Sequence, residues 1–133
     1  MPNKEVLTLW VEDLETTDAK QGTGFLHTKD DDGTERFCCL GRLAKLAVDH
    51  GVIPPPIEGN SLFRYGAHAQ GEEGFDSDLV LPWAVQQWAG IESDPELIGD
   101  GIDDQPMTAS GLNDTWGYSF RRIAEVIREK YDL

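Results

Sequence analysis

Three consecutive prolines, Pro54-Pro55-Pro56, set between Ile53 and Ile57, constrain this chain more than any other feature. Proline fixes φ at about −65° and has no amide proton, so the run can continue neither a helix nor a central strand and favours polyproline II. Residues 53–57 therefore form a stiff connector, and the fold must be built from secondary structure on either side of it. A length of 133 residues gives room for one core, so a single domain over 1–133 is expected rather than two lobes.

Ahead of the connector, Val6, Leu7, Trp10, Val11 and Leu14 recur at three- and four-residue spacing, with Asn3 placed to cap and Glu5 in the first turn. This predicts an amphipathic helix ending near Thr16-Thr17-Asp18, then a loop from Lys20 to Gly24. Phe25 to Thr28 and Thr34 to Phe37 flank Lys29-Asp30-Asp31-Asp32-Gly33, a hairpin pattern in which Asp-Gly supplies the positive φ of the turn. Cys39, Leu40, Leu43, Leu46 and Ala47 then mark one face of a second helix that Gly51 stops.

Beyond the connector, Ser61 to Tyr65 alternates as a strand does, and Gly66 to Gly74 reads as a mobile loop. Pro82 suits the first position of a short aromatic helix that ends at Gly90. Residues 92–111 hold acids, glycines and prolines without sustained period, which predicts a long acidic loop. Leu112-Asn113-Asp114 reads as the capped start of a C-terminal helix striped by Phe120, Ile123, Ala124, Ile127 and Tyr131. The sum is an α+β fold, three main helices packed on a short antiparallel sheet or hairpin, with a mostly α fold as the alternative.

Charge narrows the function classes. Twenty-five acids against eleven bases give a net charge of −14 and a pI near 4.3, which argues against direct nucleic-acid binding and against anionic lipid. No apolar run reaches the roughly 20 residues a membrane span needs, and from Met1-Pro2-Asn3-Lys4-Glu5 no signal peptide is expected. Cys38 and Cys39 are adjacent, a poor geometry for a mutual disulfide, so two reduced thiols and a cytoplasmic location are expected.

Motifs for catalysis are sparse. Cys38-Cys39 at a predicted helix start, near Arg36 and Arg42, would favour a thiolate, and a thiol-dependent enzyme is one reading; burial of the thiols as small apolar side chains is the other. His27, His50 and His68 have no zinc-ligand spacing with the cysteines, Asp30 to Gly33 lacks the calcium-loop pattern, and no phosphate-cradling glycine loop occurs. No metal, cofactor or catalytic residue is assigned.

Charge distribution says more. Between Arg64 and Arg121 there are eleven acids and no Lys or Arg. Within that block Glu72, Glu73, Asp76, Asp78, Asp100, Asp103 and Asp104, with Trp88 as an aromatic anchor, make a candidate surface for a basic partner; simple solubility is the competing explanation. Arg42, Arg64, Arg121 and Arg122 make the alternative, an anion site for a small nucleotide, with solvated surface charge as its duller counterpart. Of the four tryptophans, Trp88 and Trp116 are expected at the surface.

The order of several motifs adds a resemblance. Trp10-Val11-x-x-Leu14, Gln21-Gly22-Thr23-Gly24-Phe25-Leu26, Phe37-Cys38-Cys39-Leu40-Gly41-x-Leu43, Leu81-Pro82, Leu112-Asn113-Asp114 and Ser119-Phe120-x-x-Ile123-Ala124-x-x-Ile127 together resemble a family of short, largely uncharacterised proteins of tailed bacteriophages and prophages. Arg42, where a small apolar residue is usual, and the acidic insert after Asp94 depart from that pattern. The resemblance implies an accessory protein in an infected bacterial cytoplasm and carries over no catalytic residue. Joined to the charge block, it leads to a non-enzymatic protein that masks a basic host or defence protein. The alternatives are sequestration of a signalling nucleotide and the thiol-dependent enzyme; a homodimer is compatible with any of them.

Overall fold

Asn3 sits at the N-cap of the first helix, α1 (Lys4–Thr16), where its side-chain oxygen accepts the amide protons of Glu5 and Val6. The structure, a computed structural model, describes residues 2–66, 81–98 and 107–133. The sequence stripe of α1 is its buried face: Val6, Leu7, Trp10, Val11 and Leu14 all lie in the core. That face packs on the second helix, α2 (Cys39–Asp49), and chiefly on the C-terminal helix, α5 (Phe120–Tyr131). α5 buries Phe120, Ile123, Ala124 and Ile127, as its period requires, with Val126 beside them. Burying each large apolar side chain contributes about 1.5–3 kcal/mol, so these three helices anchor the fold.

The first half supplies three strands, β1 (Lys20–Gln21), β2 (His27–Lys29) and β3 (Glu35–Phe37); the second adds β4 (Ile57–Gly59) and β5 (Leu62–Arg64). β2 and β3 form the expected hairpin, His27 opposite Phe37 and Lys29 opposite Glu35, around a turn in which Gly33 has φ 90°. The proline connector delivers the chain into β4, and β5 then pairs antiparallel with β2 through Thr28 and Leu62. The sheet order is β1-β3-β2-β5-β4. The fold is α+β; the mostly α alternative does not hold.

Three expectations need correction. The sheet is mixed rather than antiparallel, because Lys20 and Gln21 pair parallel to Arg36 and Phe37, and two residues are too few to show a period. Residues 92–111 are not one loop. They contain β6 (Glu96–Ile98), paired with β7 (Met107–Thr108), and the start of the helix α4 (Ala109–Asp114). Leu97 is buried there and Asp94 accepts hydrogen bonds from both the amide and the hydroxyl of Ser110, so tertiary contacts order a segment that local periodicity does not. Leu112-Asn113-Asp114 accordingly ends α4, and Ser119 caps α5 by accepting the amide proton of Arg122. The short helix α3 (Trp83–Ala89) follows the sequence reading, with Pro82 one position earlier, at the N-cap. The loop expected from Gly66 to Gly74 lies, after Gly66, outside the described residues.

Two residues explain why the motifs are spaced as they are. Gly41 lets α2 pass over the hairpin: a Cβ there would stand 1.8 Å from the carbonyl oxygen of Leu26, which accepts the Cys38 amide proton at 3.1 Å. Asn113 is buried and uses its whole side chain. Its oxygen accepts from the Gln21 side chain at 2.8 Å and from the Cys39 amide at 3.2 Å; its nitrogen donates to the Gly22 carbonyl at 2.8 Å and to Asp114 at 2.7 Å.

Candidate functional site

α3 is a seven-residue helix with two unlike faces. Val85 and Ala89 point into the core, while Trp83, 62% exposed, and Gln87 point out. Gly90 ends it in the left-handed region at φ 70°, and the chain turns back through Ile91. Beyond that turn lies a groove of about 360 Å³ between Pro2, the Gly90–Glu92 turn, Glu96 of β6 and Lys130 and Tyr131 of α5. A second depression of about 310 Å³ continues it along Gln86 and Gln87. Two carboxylates, Glu92 and Glu96, thus stand beside apolar Ile91 and the Tyr131 ring, with one base, Lys130. Burial, followed by the charge of Glu92, pushes the Tyr131 phenol up, so its hydroxyl stays protonated. Asn3 fixes the end of α3 to α1: its amide proton goes to the Ala89 carbonyl at 2.9 Å and its side-chain nitrogen donates to the Trp88 carbonyl at 3.2 Å.

A second constellation lies on the sheet. His27, Phe37 and Phe63 occupy one row across β2, β3 and β5, and the imidazole is sandwiched with ring centroids 3.8 Å from Phe37 and 3.7 Å from Phe63. Arg42 covers the Phe37 ring at 4.7 Å and Lys29 lies over Phe63 at 5.8 Å. In the ring plane, His27 Nε2 lies 2.7 Å from Glu35 and Nδ1 lies 2.6 Å from the Tyr65 hydroxyl. Burial holds the His27 pKa below its ordinary value although Glu35 pulls it up. With Glu35 ionised, Nε2 carries the proton, so Tyr65 donates its O–H to Nδ1. The arrangement is that of a base aimed at a phenol. Tyr65, however, is fully buried and burial pushes its pKa up strongly, which makes the triad a satisfied polar network of the core.

The residues singled out in the sequence fare unequally. Glu72, Glu73, Asp76, Asp78, Asp100, Asp103 and Asp104 lie outside the described residues. Trp88 is half-buried with its ring 5.6 Å from that of His50, so it is no exposed anchor; that position belongs to Trp83, while Trp116 is exposed as expected. The four arginines are not brought together. Arg42 makes a two-pronged ion pair with Asp13, both bonds 2.8 Å, on the sheet face that carries Phe37. Strand alternation points Arg64 to the opposite face from Phe63. Arg121 reaches the Glu15 carbonyl and Arg122 pairs with Glu125 along α5. A single anion pocket from these four does not form.

Neither cysteine is a primed thiolate. Cys38 caps α2, its sulfur accepting the Gly41 amide proton at 3.4 Å, and Cys39 donates to the Ala109 carbonyl at 3.4 Å. Burial raises the Cys38 pKa to about 11 and that of Cys39 well above its ordinary value, and the nearby charges are the carboxylates of Asp94 and Asp114. Arg36 and Arg42, expected to favour the thiolate, are committed to Asp30 and Asp13. Among the described residues no group of His, Cys, Asp and Glu side chains could hold a metal ion, and no helix is long and apolar enough to cross a membrane.

The model of a family described as a domain of unknown function (DUF8296) matches residues 2–131. The chain belongs to this family. No curated protein and no solved structure matches it. In this DUF8296 chain the groove beside α3, β6 and α5 is not legible in the sequence because its walls come from three separated segments, Pro2, residues 90–96 and Lys130-Tyr131. Trp83, the first residue of a helix whose inward positions are Val85 and Ala89, marks the outer face of α3 but does not line the groove. The Glu35 and His27 pair was legible in principle, since the two flank a hairpin turn on one sheet face; Tyr65, from the far side of the proline connector, was not.

Proposed function

We propose that this protein acts by binding, engaging a Lys- and Arg-rich protein through the acidic part of its second half. The observation that carries the reading is the segregation of charge: eleven acids and no Lys or Arg between Arg64 and Arg121 in a chain of net charge −14. Such a field steers a basic surface and repels nucleic acid and anionic lipid over a Debye length of about 8 Å. Two of these acids, Glu92 and Glu96, line the groove beside α3, so the charge has a concave, partly apolar surface to work with. The buried thiols and the buried Tyr65 phenol offer a substrate no access, which favours binding over catalysis.

The motif resemblance gives this reading a setting, an accessory protein masking a basic host or defence protein in an infected bacterial cytoplasm. The test is affinity capture from bacterial lysate at low and high salt, with the eluate also heated and examined for nucleotides, followed by titration of the purified pair. A basic protein held at low salt and released at high salt is expected. A partner held equally at both, or a released nucleotide with no protein, would overturn the reading.

A further inference from the structure

We infer that the docking surface is the outer face of α3 together with the groove beyond it, and that its occupant is an extended segment of the partner presenting Lys or Arg beside one apolar side chain. This rests on the proposed basic partner and adds where and how it is held.

Helix geometry puts Trp83, Gln86 and Gln87 within an arc of about 100°, away from buried Val85 and Ala89; Trp83 and Gln87 are exposed, and Gln86 is half-buried and donates to the Leu81 carbonyl at 2.8 Å. At the end of α3 the two depressions share Gly90, Ile91 and Glu92, which makes one trough rather than two sites. Trp83 stands on the outer face of α3, about one turn before the trough, and the trough itself is lined by Glu92 and Glu96. Among the described residues Trp83 has the largest exposure of the large apolar side chains, and a tryptophan in that position can cover an apolar side chain or stack on a guanidinium. Glu92 and Glu96 in the trough complement a cation, with the half-buried Tyr131 ring to receive its methylene stem.

Charge complementarity selects this occupant. A second copy of the chain would bring another net charge of −14 to an acidic trough, and a phosphate backbone would be repelled in the same way. The run from Trp83 to Gly90 is about 10 Å at 1.5 Å per residue, and with the groove added it spans roughly four to six extended residues at about 3.3 Å each. Lys130, on the α5 side, opposes the same cation, and this gives the proposal an inverse control.

The experiment is a fluorescence-anisotropy titration of the full chain with a labelled arginine-rich peptide carrying one central leucine, at low and at physiological salt. Trp83→Ala and Glu92→Gln with Glu96→Gln are compared with Glu5→Gln and Asp31→Asn, which neutralise exposed acids elsewhere; Lys130→Gln is the inverse control. Circular dichroism and thermal midpoints verify that each variant is folded. Expected are a loss of about tenfold in affinity for the docking-surface variants, with a flatter salt dependence for the double Gln variant and an unchanged one for Trp83→Ala. Lys130→Gln should bind more tightly. Equal losses in docking-surface and control variants would overturn the docking surface while leaving the basic-partner reading intact. No binding by the wild-type chain at either salt would remove both.

Discussion

At the scale of single residues, space and burial decide most of what can be tested. A methyl group at Gly41 has nowhere to go, because the atom 1.8 Å away is the carbonyl oxygen of Leu26, backbone that already accepts a hydrogen bond from Cys38. Gly41→Ala is therefore expected to lose roughly 3 kcal/mol or more, or not to fold, and an unchanged urea midpoint would refute the close approach. His27 gives the chain a pH dependence. The unfolded histidine titrates near its ordinary value, about 6.5, and the folded one lower. Between those values the unfolded state binds more protons, so this contribution is fully present above about pH 7.5 and is lost as the pH falls through 6.5 toward the folded value. The urea midpoint should fall from about pH 7.5 to about pH 5.5. Glu35→Gln removes the group that holds the His27 pKa up and should steepen that fall, whereas His27→Gln should flatten it. The thiols follow the same logic: with burial lifting Cys38 to about 11, alkylation of the folded chain at neutral pH should be slow and should track unfolding. Fast labelling of either cysteine in the native state would revive the thiol-enzyme reading.

At the scale of elements, the contacts that matter join segments far apart in sequence. Asn113 ties β1, the start of α2 and α4 into one junction, and its removal strands the Cys39 amide and the Gly22 carbonyl and leaves the Gln21 side chain only its bond to the Tyr118 carbonyl. Asn113→Ala should destabilise the chain by roughly 2–4 kcal/mol in denaturant titration, and Asn113→Asp should not rescue it, because a carboxylate restores the acceptor but not the donors. Periodicity forecast α1, the β2 to β3 hairpin, α2 and α5, since each has enough residues to show a stripe or alternation. It missed β1, β4, β6, β7 and α4, which have two to six residues apiece and exist because a neighbour supplies their hydrogen bonds. Asp94 holding the first turn of α4 through Ser110 is one such neighbour. No local window contains that information.

At the scale of the whole molecule, charge acts against compaction. A chain at −14 repels itself, and the surface ion pairs that salt would weaken contribute little each. Added monovalent salt at pH 7 should therefore raise the thermal midpoint while weakening association with a basic partner, two opposite responses readable in one salt series. A midpoint that falls with salt would mean that ion pairs such as Arg42 with Asp13 outweigh the net repulsion.

The sequence by itself determined the stripes of the long helices, the hairpin turn at Gly33, the absence of helix or strand over Pro54-Pro55-Pro56 and the acid block, because each is a property of neighbouring residues or of composition. Only the tertiary structure decided that Cys38 is a helix cap, that Arg42 belongs to Asp13, that His27 joins Glu35 to Tyr65, and that Trp83 rather than Trp88 faces outward. The physical reason is common to all four. A side chain's chemistry is set by what burial removes from it and which distant group replaces the water, and both depend on how segments tens of residues apart come to share one face.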